Sequence, residues 1–544
     1  MKYNTMYRLS FILGFFFLQI IPLNGFSQEV NKYWVFFKNK PDTVFDPFHY
    51  FDKNTIARRV RNHLPLYDWY DLPVSNEYLS IVQKNCSKLK THSRWFNAAV
   101  ILATDSQISI INQFAFIDTI EQANPLTLQI ADFTEFENKL ELNKISDDLI
   151  LDSQTKRMGA DLLIEKGLTG KGIRIAIFDV GFSGADKHTA FQHIRSRNGI
   201  LKTWDFVKNE ENVWKGGWHG TAVWSCIAGK LNGRWSGLAT DAEFLLARTE
   251  IGNKEPFAEE EYWVSAAEWA DKNGADIINS SLGYTDSRYF PRQMDGKTTF
   301  ITRGANLAAK KGMLVVNAAG NEGDSNWRIV AAPADADSVL TIGGVEPCCD
   351  YHISFSSYGP TRDMRIKPNV CAQGRAFCAK ENGESNADGT SFASPLAAGF
   401  AACAWQAKRS LSNMQLFDEL QKCASLFPYF DYAHGYGVLS ADRFLNNIVA
   451  TPSFVAKKAS TTSETGDSTE YIQIEVDDKF TTTNPEGMDY LMYYCIVNTS
   501  GGLDSYTVIK VHEKIPVQFK TNAYSTGTKL RISLQGYMSE IQFK

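Results

Sequence analysis

Short apolar runs alternate with helical stretches through the middle of this 544-residue chain. Between residues 159 and 447 the apolar runs read IRIAIFD, EFLLAR, DIINSS, MLVVNAAG and VLTIGGV. Helical stretches such as AEEEYWVSAAEWADKNG and TRGANLAAKKG lie between them. Because short buried strands that alternate with helices form a parallel sheet covered on both faces, this pattern predicts a doubly wound, mostly parallel α/β domain.

Four polar residues follow the predicted strands or open the predicted helices of this region. Asp179 ends the first run, and Asn321 follows the strand in LVVNAAGNEG. His219 opens a helix in GGWHGTAVWSCIAG, and Ser391 opens another in GTSFASPLAAGFAACAWQ. Each residue alone has an ordinary interpretation as a cap, a turn residue or a structural histidine. Because ligands of open α/β sheets bind at the carboxyl ends of the strands, the four together indicate an active site.

The motifs around these residues resemble those of the subtilases, the subtilisin-like serine proteases. GTSFASP resembles the serine motif of the family, HGTAV its histidine motif and AAGNEG its oxyanion motif. INSSLG resembles the strand that pairs with the substrate backbone, and FSSYGP, KPNVCAQG and GYGVLSADR resemble further landmarks. The resemblance extends over roughly residues 155–447 and implies a subtilisin-like fold.

The resemblance implies a serine endopeptidase. Ser391 would attack a peptide carbonyl, His219 would take and pass on its proton, and Asp179 would orient the imidazole. The side chain of Asn321 and the backbone N–H of Ser391 would hold the oxyanion. Protein or peptide chains would be the substrates.

The substrate-binding residues are predicted from the same resemblance. Ser281, Leu282 and Gly283 would offer a strand edge to the substrate backbone. A loose alignment places Ala331 in a pocket wall, which favours an apolar or unselective first subsite. Calcium is common in the family, but the sequence provides no recognisable ligand set, so no cofactor and no metal site is assigned.

Three positions depart from the usual family pattern. Val180 follows the aspartate where Ser or Thr is usual, Ala222 replaces a second histidine, and Phe392 replaces the commoner Met. None of these side chains performs the proposed chemistry, so we expect activity to survive the changes.

Two further units flank the α/β domain. Residues 28–125 carry strand and helix patterns in the order of a split β-α-β unit, which predicts a ferredoxin-like α+β fold. Residues 126–152 are polar and acidic and are interpreted as a linker to the catalytic domain, residues 153–447. Residues 448–544 are rich in Thr, Tyr, Val and Ile between turn residues, which predicts an all-β module.

The first of these units resembles the inhibitory propeptide of subtilases. The resemblance implies that it assists folding and blocks the substrate groove as an intramolecular inhibitor. We expect Ser391 of the same chain to remove it by a cut between Gln122 and Met158. A permanent accessory domain is the alternative.

The first 27 residues predict export. Lys2 and Arg8 precede the apolar run LSFILGFFFLQIIPL, and the small residues Gly25 and Ser27 favour a cleavage site after Ser27. A membrane anchor is the alternative, but it needs about 20 apolar residues, and no other stretch is apolar enough to cross a bilayer. We therefore expect a secreted or cell-surface protein without a transmembrane segment in its mature form.

The charge and cysteine content add two constraints. The net charge of −5 gives no reason to expect binding to nucleic acid. The nine cysteines leave at least one unpaired in a monomer. Cys371 and Cys378 are candidates for a disulfide, and so is either of them with Cys348 or Cys349.

Three other functions compete with this prediction. An α/β-hydrolase needs G-x-S-x-G, but residues 389–393 read G-x-S-x-A, and His434 is a poor downstream partner. A metalloprotease needs H-E-x-x-H, whereas His188 and His193 are five residues apart. A catalytically weak or inactive binding protein on the same scaffold remains the alternative that only an assay can test.

Overall fold

The computed structural model describes most of the chain. The described residues are 29–41, 44–123, 146–252, 256–286, 288–347, 350–446, 450–462, 468–483, 490–499, 503–511 and 517–543. The predicted signal peptide and the first part of the predicted linker lie outside them. We name three parts of the described chain: the N-terminal domain (29–123), the central domain (146–446) and the C-terminal module (450–543).

The N-terminal domain has the predicted ferredoxin-like fold. Its antiparallel sheet has the order β2-β3-β1-β4, and helices connect β1 to β2 and β3 to β4. The strands are β1 Asn31–Phe37, β2 Lys88–Ser93, β3 Ala98–Ala103 and β4 Ile117–Gln122. The helices are α1 Pro47–Tyr50, α2 Lys53–Arg61, α3 Asn76–Asn85 and α4 Asp105–Ile111. The sequence pattern did not reveal α1 and α2, which form an insertion between β1 and α3.

The central domain confirms the doubly wound α/β prediction. Seven parallel strands have the order β13-β12-β11-β10-β5-β9-β6, and their buried residues need cover on both faces. The strands of the domain are β5 Arg174–Asp179, β6 Ile200–Asp205, β7 Lys230–Leu231, β8 Arg234–Trp235, β9 Glu243–Arg248, β10 Ile277–Ser280, β11 Leu314–Ala318, β12 Val339–Val345, β13 Val370–Gln373, β14 Arg375–Ala379 and β15 Glu384–Asp388.

Nine helices are described in the central domain, and two of them, His219–Ala228 and Thr390–Ala407, are almost entirely buried. They are α5 Asp147–Lys156, α6 Ala160–Glu165, α7 Gln192–Ser196, α8 His219–Ala228, α9 Ala258–Lys272, α10 Phe300–Lys310, α11 Thr390–Ala407, α12 Asn413–Lys422 and α13 Ala441–Asn446. The Ala-rich helix α11 packs closely on α8. A Cβ at Gly399 would lie only 2.9 Å from the carbonyl oxygen of Ile227, so the absence of a side chain at Gly399 allows this close approach. Helix α5 crosses the boundary that we placed at residue 152, and the domain boundaries remain predictions.

The C-terminal module is all-β with a core of its own. Its two antiparallel sheets have the orders β16-β17-β20 and β19-β18-β21-β22. The strands are β16 Phe454–Thr462, β17 Ser468–Val476, β18 Tyr490–Val497, β19 Leu503–Val511, β20 Val517–Lys520, β21 Lys529–Leu534 and β22 Tyr537–Gln542. Arg443 of α13 donates to the carbonyl of Gly536 at 2.7 Å, which ties the module to the central domain.

The proposed disulfide between Cys371 and Cys378 is wrong. Both cysteines are free and buried, as are the other five described cysteines. The thiol of Cys371 donates to the carbonyl of His434 at 3.3 Å, and that of Cys378 to the carbonyl of Ser385 at 3.4 Å. The two thiols therefore serve different hydrogen bonds, while Cys348 and Cys349 lie outside the described residues. None of the described helices is long and apolar enough to span a bilayer.

Candidate active site

Asp179 and His219 form a hydrogen-bonded pair at the carboxyl edge of the central sheet. Asp179 is the last residue of β5 and is fully buried. Its Oδ1 and Oδ2 atoms lie 2.9 and 3.0 Å from Nδ1 of His219, and Oδ1 also accepts from the N–H of Val180 at 2.8 Å. A Cβ at Gly220 would lie 2.4 Å from the carbonyl of Gly181 and 3.0 Å from the Cβ of Asp179. The glycine after the histidine thus allows α8 to begin against β5.

Asp179 controls the ionisation of the histidine. Burial lowers the pKa of His219, but the charge of Asp179 and its hydrogen bonds outweigh this effect and leave the pKa above its usual value. Lys380 opposes the increase through its positive charge. The side chain of His219 is 29% exposed, so part of the imidazole is open to solvent.

Ser391 lies in the first turn of α11. Its hydroxyl donates to the carbonyl of Ser281 at 3.2 Å, and the hydroxyl of Ser281 donates to the carbonyl of Ser391 at 2.9 Å. The ring of His219 faces Phe392 at 5.5 Å between centroids. The described contacts do not include a hydrogen bond between His219 and Ser391. Such bonds are often long before a substrate binds.

The amide of Asn321 is oriented by Thr390, a residue that the motif contains but that we did not single out. Oδ1 of Asn321 accepts from the backbone N–H of Thr390 at 2.8 Å and lies 3.0 Å from its hydroxyl. Nδ2 then points toward Gly389, 3.6 Å from the position that a Cβ would take there. The amide therefore presents its donor, and not its acceptor, beside Ser391.

One cleft of about 370 Å³ is lined by His219, Asn321 and Ser391. Ser281, Leu282 and Gly283 line it together with His219, Asn321 and Ser391. Three acidic residues that the sequence analysis did not identify also line it, namely Glu250, Glu259 and Glu322. Ala331 is buried behind the wall, since a Cβ at Gly283 would lie 2.7 Å from the Cβ of Ala331.

The residues of the rejected functions lie elsewhere. Nδ1 of His188 accepts from the N–H of Ala190 at 3.1 Å and caps a short helical turn. His434 forms a buried pair with Asp431 at 3.0 Å. Within the described ranges, no group of three or more His, Cys, Asp or Glu side chains is placed to hold a metal ion.

The sequence model of the Subtilase family matches residues 170–437. The chain contains a subtilase domain. A model of the peptidase S8 propeptide domain of Bacteroidota matches residues 32–139, so the N-terminal domain of this subtilase is a propeptide domain of that kind.

The subtilase resembles several curated serine peptidases. It is 29% identical over 335 residues to Alkaline elastase YaB of Bacillus sp. (strain YaB), covering 59% of this chain and 78% of that protein. It is 28% identical over 295 residues to Subtilisin Savinase of Lederbergia lenta, covering 53% of this chain and 95% of the relative. It is also 32% identical over 254 residues to Subtilisin-like protease SBT6.1 of Arabidopsis thaliana, covering 45% of this chain but only 22% of the relative.

Solved structures also match this subtilase. The match to Sphericase has 24% identity and a TM-score of 0.42, and it covers 50% of this chain and 92% of the other. A cold adapted subtilisin-like serine proteinase matches with 22% identity and a TM-score of 0.39, covering 50% and 88%. The family and the curated relatives identify the enzyme class as a serine peptidase of the subtilisin type.

Proposed function

We propose that this chain is an exported serine endopeptidase whose catalytic triad is Asp179, His219 and Ser391. The observation that carries the proposal is the pairing of Asp179 with Nδ1 of His219, at 2.9 and 3.0 Å, beside the cleft that also holds Ser391. A carboxylate at Nδ1 favours the tautomer in which that nitrogen carries the proton. Nε2 is then left as the base.

The proposed reaction begins with the hydroxyl of Ser391. Its oxygen attacks the carbonyl carbon of the scissile peptide while Nε2 of His219 takes its proton. The imidazolium is stabilised by the Asp179 carboxylate and gives the proton to the departing amine. A water molecule, activated by the same histidine, then releases the acyl group from Ser391. The hydrogen bond from Ser391 to Ser281 has to break before the attack.

We assign the oxyanion site to Nδ2 of Asn321 and the backbone N–H of Ser391. The N–H of Ser391 lies in the first turn of α11, where backbone donors have no partner within the helix. The hydrogen bond from Thr390 fixes the Asn321 amide before charge develops on the substrate oxygen. Such preorganised donors stabilise the transition state more than the ground state.

Ser281, Leu282 and Gly283 are proposed to bind the substrate backbone as an added strand. Nδ2 of Asn317 donates to the carbonyl of Leu282 at 3.0 Å and holds this segment in place. Tyr284 and Ala332 exchange backbone hydrogen bonds of 2.9 and 3.2 Å at its end. The segment can therefore act as a rigid edge of the cleft.

Export and maturation complete the proposal. The signal-peptide pattern of residues 1–27 supports secretion, and the match to a propeptide domain supports maturation by cleavage. The cut is proposed between Gln122 and Met158. We further propose that the N-terminal domain inhibits the enzyme until that cut is made.

The test is peptidase activity in the chain that begins at Gln28. Incubation with a peptide mixture should yield products that a serine-directed inhibitor abolishes. Ser391→Ala should yield none, whereas Ser410→Ala, which alters an exposed serine after α11, should match the parent. A folded parent chain that cleaves nothing after its N-terminal domain is removed would instead support a binding protein on an inactive scaffold.

A further inference from the structure

Asn321 lies in a loop, residues 319–323, that begins where β11 ends. The residue is exposed, and its amide oxygen is held by the hydrogen bond from Thr390. A contact at the end of a side chain does not by itself fix the backbone that carries the side chain. Because an oxyanion donor has to be placed to within about 0.5 Å, the backbone on either side of Asn321 also needs to be held.

Ser357 makes hydrogen bonds on both sides of Asn321. It lies in the segment between β12 and β13, and its backbone N–H donates to the carbonyl of Gly320 at 3.1 Å. Its hydroxyl oxygen accepts from the backbone N–H of Glu322 at 3.1 Å. The same hydroxyl donates to Oε2 of Glu322 at 3.1 Å. One buried serine thus binds both sequence neighbours of the proposed oxyanion residue.

Gly320 allows the close approach of Ser357 to the loop. The φ angle of Gly320 is +114°, in the region that favours glycine. A Cβ at this position would lie 2.7 Å from the hydroxyl oxygen of Ser357 and 2.5 Å from Oε2 of Glu322. The loop backbone, the hydroxyl and the carboxylate are therefore packed together without room for a further atom.

Ser357 is itself held in a fixed position. It is 0% exposed and is not among the described residues that line the cleft. The N–H of Tyr358, the next residue, donates to the carbonyl of Arg328 at 2.9 Å. The carbonyl of Tyr358 accepts from the N–H of Val330, also at 2.9 Å. The hydroxyl of Ser357 therefore contacts the loop from a segment that is paired with another part of the central domain.

The charge of Glu322 gives this arrangement a consequence for the reaction. Glu322 lines the cleft next to Asn321. A negative charge close to the oxyanion would raise the energy of the transition state. A carboxylate that reached Nδ2 of Asn321 would also occupy the donor that the substrate oxygen needs. The position of the Glu322 side chain therefore affects catalysis, and the hydroxyl of Ser357 binds that side chain.

We propose that Ser357 is a positioning residue for the oxyanion site, which fixes the loop that carries Asn321 and holds the carboxylate of Glu322 away from the amide donor. The proposal rests on the proposed oxyanion role of Asn321. Ser357 touches neither the substrate nor the reacting atoms and acts only through Gly320 and Glu322. Its loss should therefore affect turnover more than substrate binding.

Peptide hydrolysis by the parent, two single variants and their double variant tests this role. Ser357→Ala should lower turnover about tenfold with little change in the Michaelis constant. In the Asn321→Ala chain, the same change should lower turnover by at most about twofold, because the residue that Ser357 positions is gone. Every protein is compared after an external protease has removed the N-terminal domain at a recognition site placed between residues 124 and 145.

Ser356→Ala is the matched control. Ser356 is also 0% exposed, and its hydroxyl accepts from the N–H of Gly344 in β12 at 2.9 Å, outside the loop of Asn321. Any loss of turnover in Ser356→Ala should be the same with and without Asn321→Ala. The contrast between the two neighbouring serines separates positioning of the oxyanion site from packing of the segment.

A second measurement does not depend on activity. Crystal structures of the Ser391→Ala chain with and without Ser357→Ala are compared. Without the hydroxyl, the side chain of Glu322 should change position, and residues 320–322 should show larger atomic displacement parameters. If the parent chain hydrolyses no peptide, the proposed function fails, and this comparison still decides whether Ser357 fixes the loop.

Three results would overturn the proposal. They are an unchanged turnover in Ser357→Ala, an equal loss of turnover in the parent and in Asn321→Ala, and identical loops in the two crystal structures. If Ser357→Ala does not fold, Ser357→Cys takes its place, because a thiol fills the site but is a weak hydrogen-bond partner. It should give the same pattern with a smaller loss, and unchanged turnover in it would count equally against the proposal.

Discussion

The cleft and the arm surface use charge in opposite ways. The arm is residues 46–72 of the N-terminal domain, and the arm surface is its boundary with the central domain, where Arg58 pairs with Asp271. In the cleft, the carboxylate of Asp179 is buried, but the paired imidazole of His219 is 29% exposed and accessible to a substrate. At the arm surface, Arg58 and Asp271 are both 0% exposed. The first arrangement keeps a proton acceptor available, whereas the second commits every charge to a partner. Under the proposed function, a pair of opposite charges takes part in the reaction at one edge of the sheet, and another holds two domains together at the other edge.

The largest effect is expected from a substitution that removes the chemistry of the cleft and leaves the arm surface intact. Ser391→Ala should lower turnover by about six orders of magnitude, because the attacking oxygen is lost. Its thermal unfolding midpoint should stay close to that of the parent after the same N-terminal processing. Steady-state peptide hydrolysis and calorimetry measure the two quantities. Turnover close to that of the parent would refute the assignment of the nucleophile.

The next largest effect is expected from a substitution that disrupts the arm surface and leaves the residues of the cleft unchanged. In the uncut Ser391→Ala chain, Asp271→Ala should lower the free energy of unfolding by about 3–5 kcal/mol, since it leaves Arg58 buried without its counter-charge. Urea unfolding measures this value. Asp418→Ala, which changes an exposed acid on α12, is the control and should have little effect. A loss for Asp271→Ala as small as that of the control would show that the buried network contributes no stability.

A smaller effect tests the proposed oxyanion role of Asn321 in the cleft. Asn321→Ala should lower turnover by about 100- to 1,000-fold, with a much smaller change in the Michaelis constant, because the amide acts mainly on the charged transition state. Peptide hydrolysis over a range of substrate concentrations separates the two parameters. An unchanged turnover with only a raised Michaelis constant would contradict the oxyanion role.

The smallest effect concerns the pH dependence of the cleft. His219 must be neutral to act as a base, and its pKa is raised, so activity should be lost as the pH falls through a value above the usual 6.5 of histidine. Nζ of Lys380 lies 3.4 Å from the ring of Trp218, next to His219, and its charge lowers the pKa of the imidazole. Lys380→Met should therefore move the acidic limb of kcat/KM to higher pH. Lys208→Met, an exposed change elsewhere, should not move it, and a shift to lower pH in Lys380→Met would contradict this account.

The two regions also differ in how far the sequence predicts them. The four cleft residues stand in short motifs, because each must follow a strand or open a helix and needs particular neighbours such as Gly220 or Thr390. The family predicted from those motifs is confirmed by the family model, and the parallel sheet predicted from the apolar runs is confirmed by the structure, while the roles of the four residues remain predictions. The acidic lining by Glu250, Glu259 and Glu322 was missed, since no local pattern marks it.

The arm surface could not be predicted in this way. Arg58 and Asp271 are 213 residues apart, and the chain around each reads as an ordinary polar helix. Only the packing of two domains turns these solvated charges into a buried network. The candidate disulfide between Cys371 and Cys378 was wrong for a related reason, because proximity in the sequence does not determine which neighbour a buried thiol contacts.

The seven buried free cysteines among the described residues have a consequence for the proposed export of this chain. Burial raises the pKa of Cys378 and Cys423 to about 12 and holds the pKa of Cys226 and Cys371 well above the usual value, so these four thiols present almost no reactive thiolate in the folded protein. Before folding, the same thiols are exposed, and an oxidising compartment can join them in wrong pairs. Rapid folding then protects the thiols by burying them. Slow folding would leave disulfides between cysteines that are free in the folded protein. The yield of active enzyme should therefore depend on the rate of folding relative to the rate of thiol oxidation.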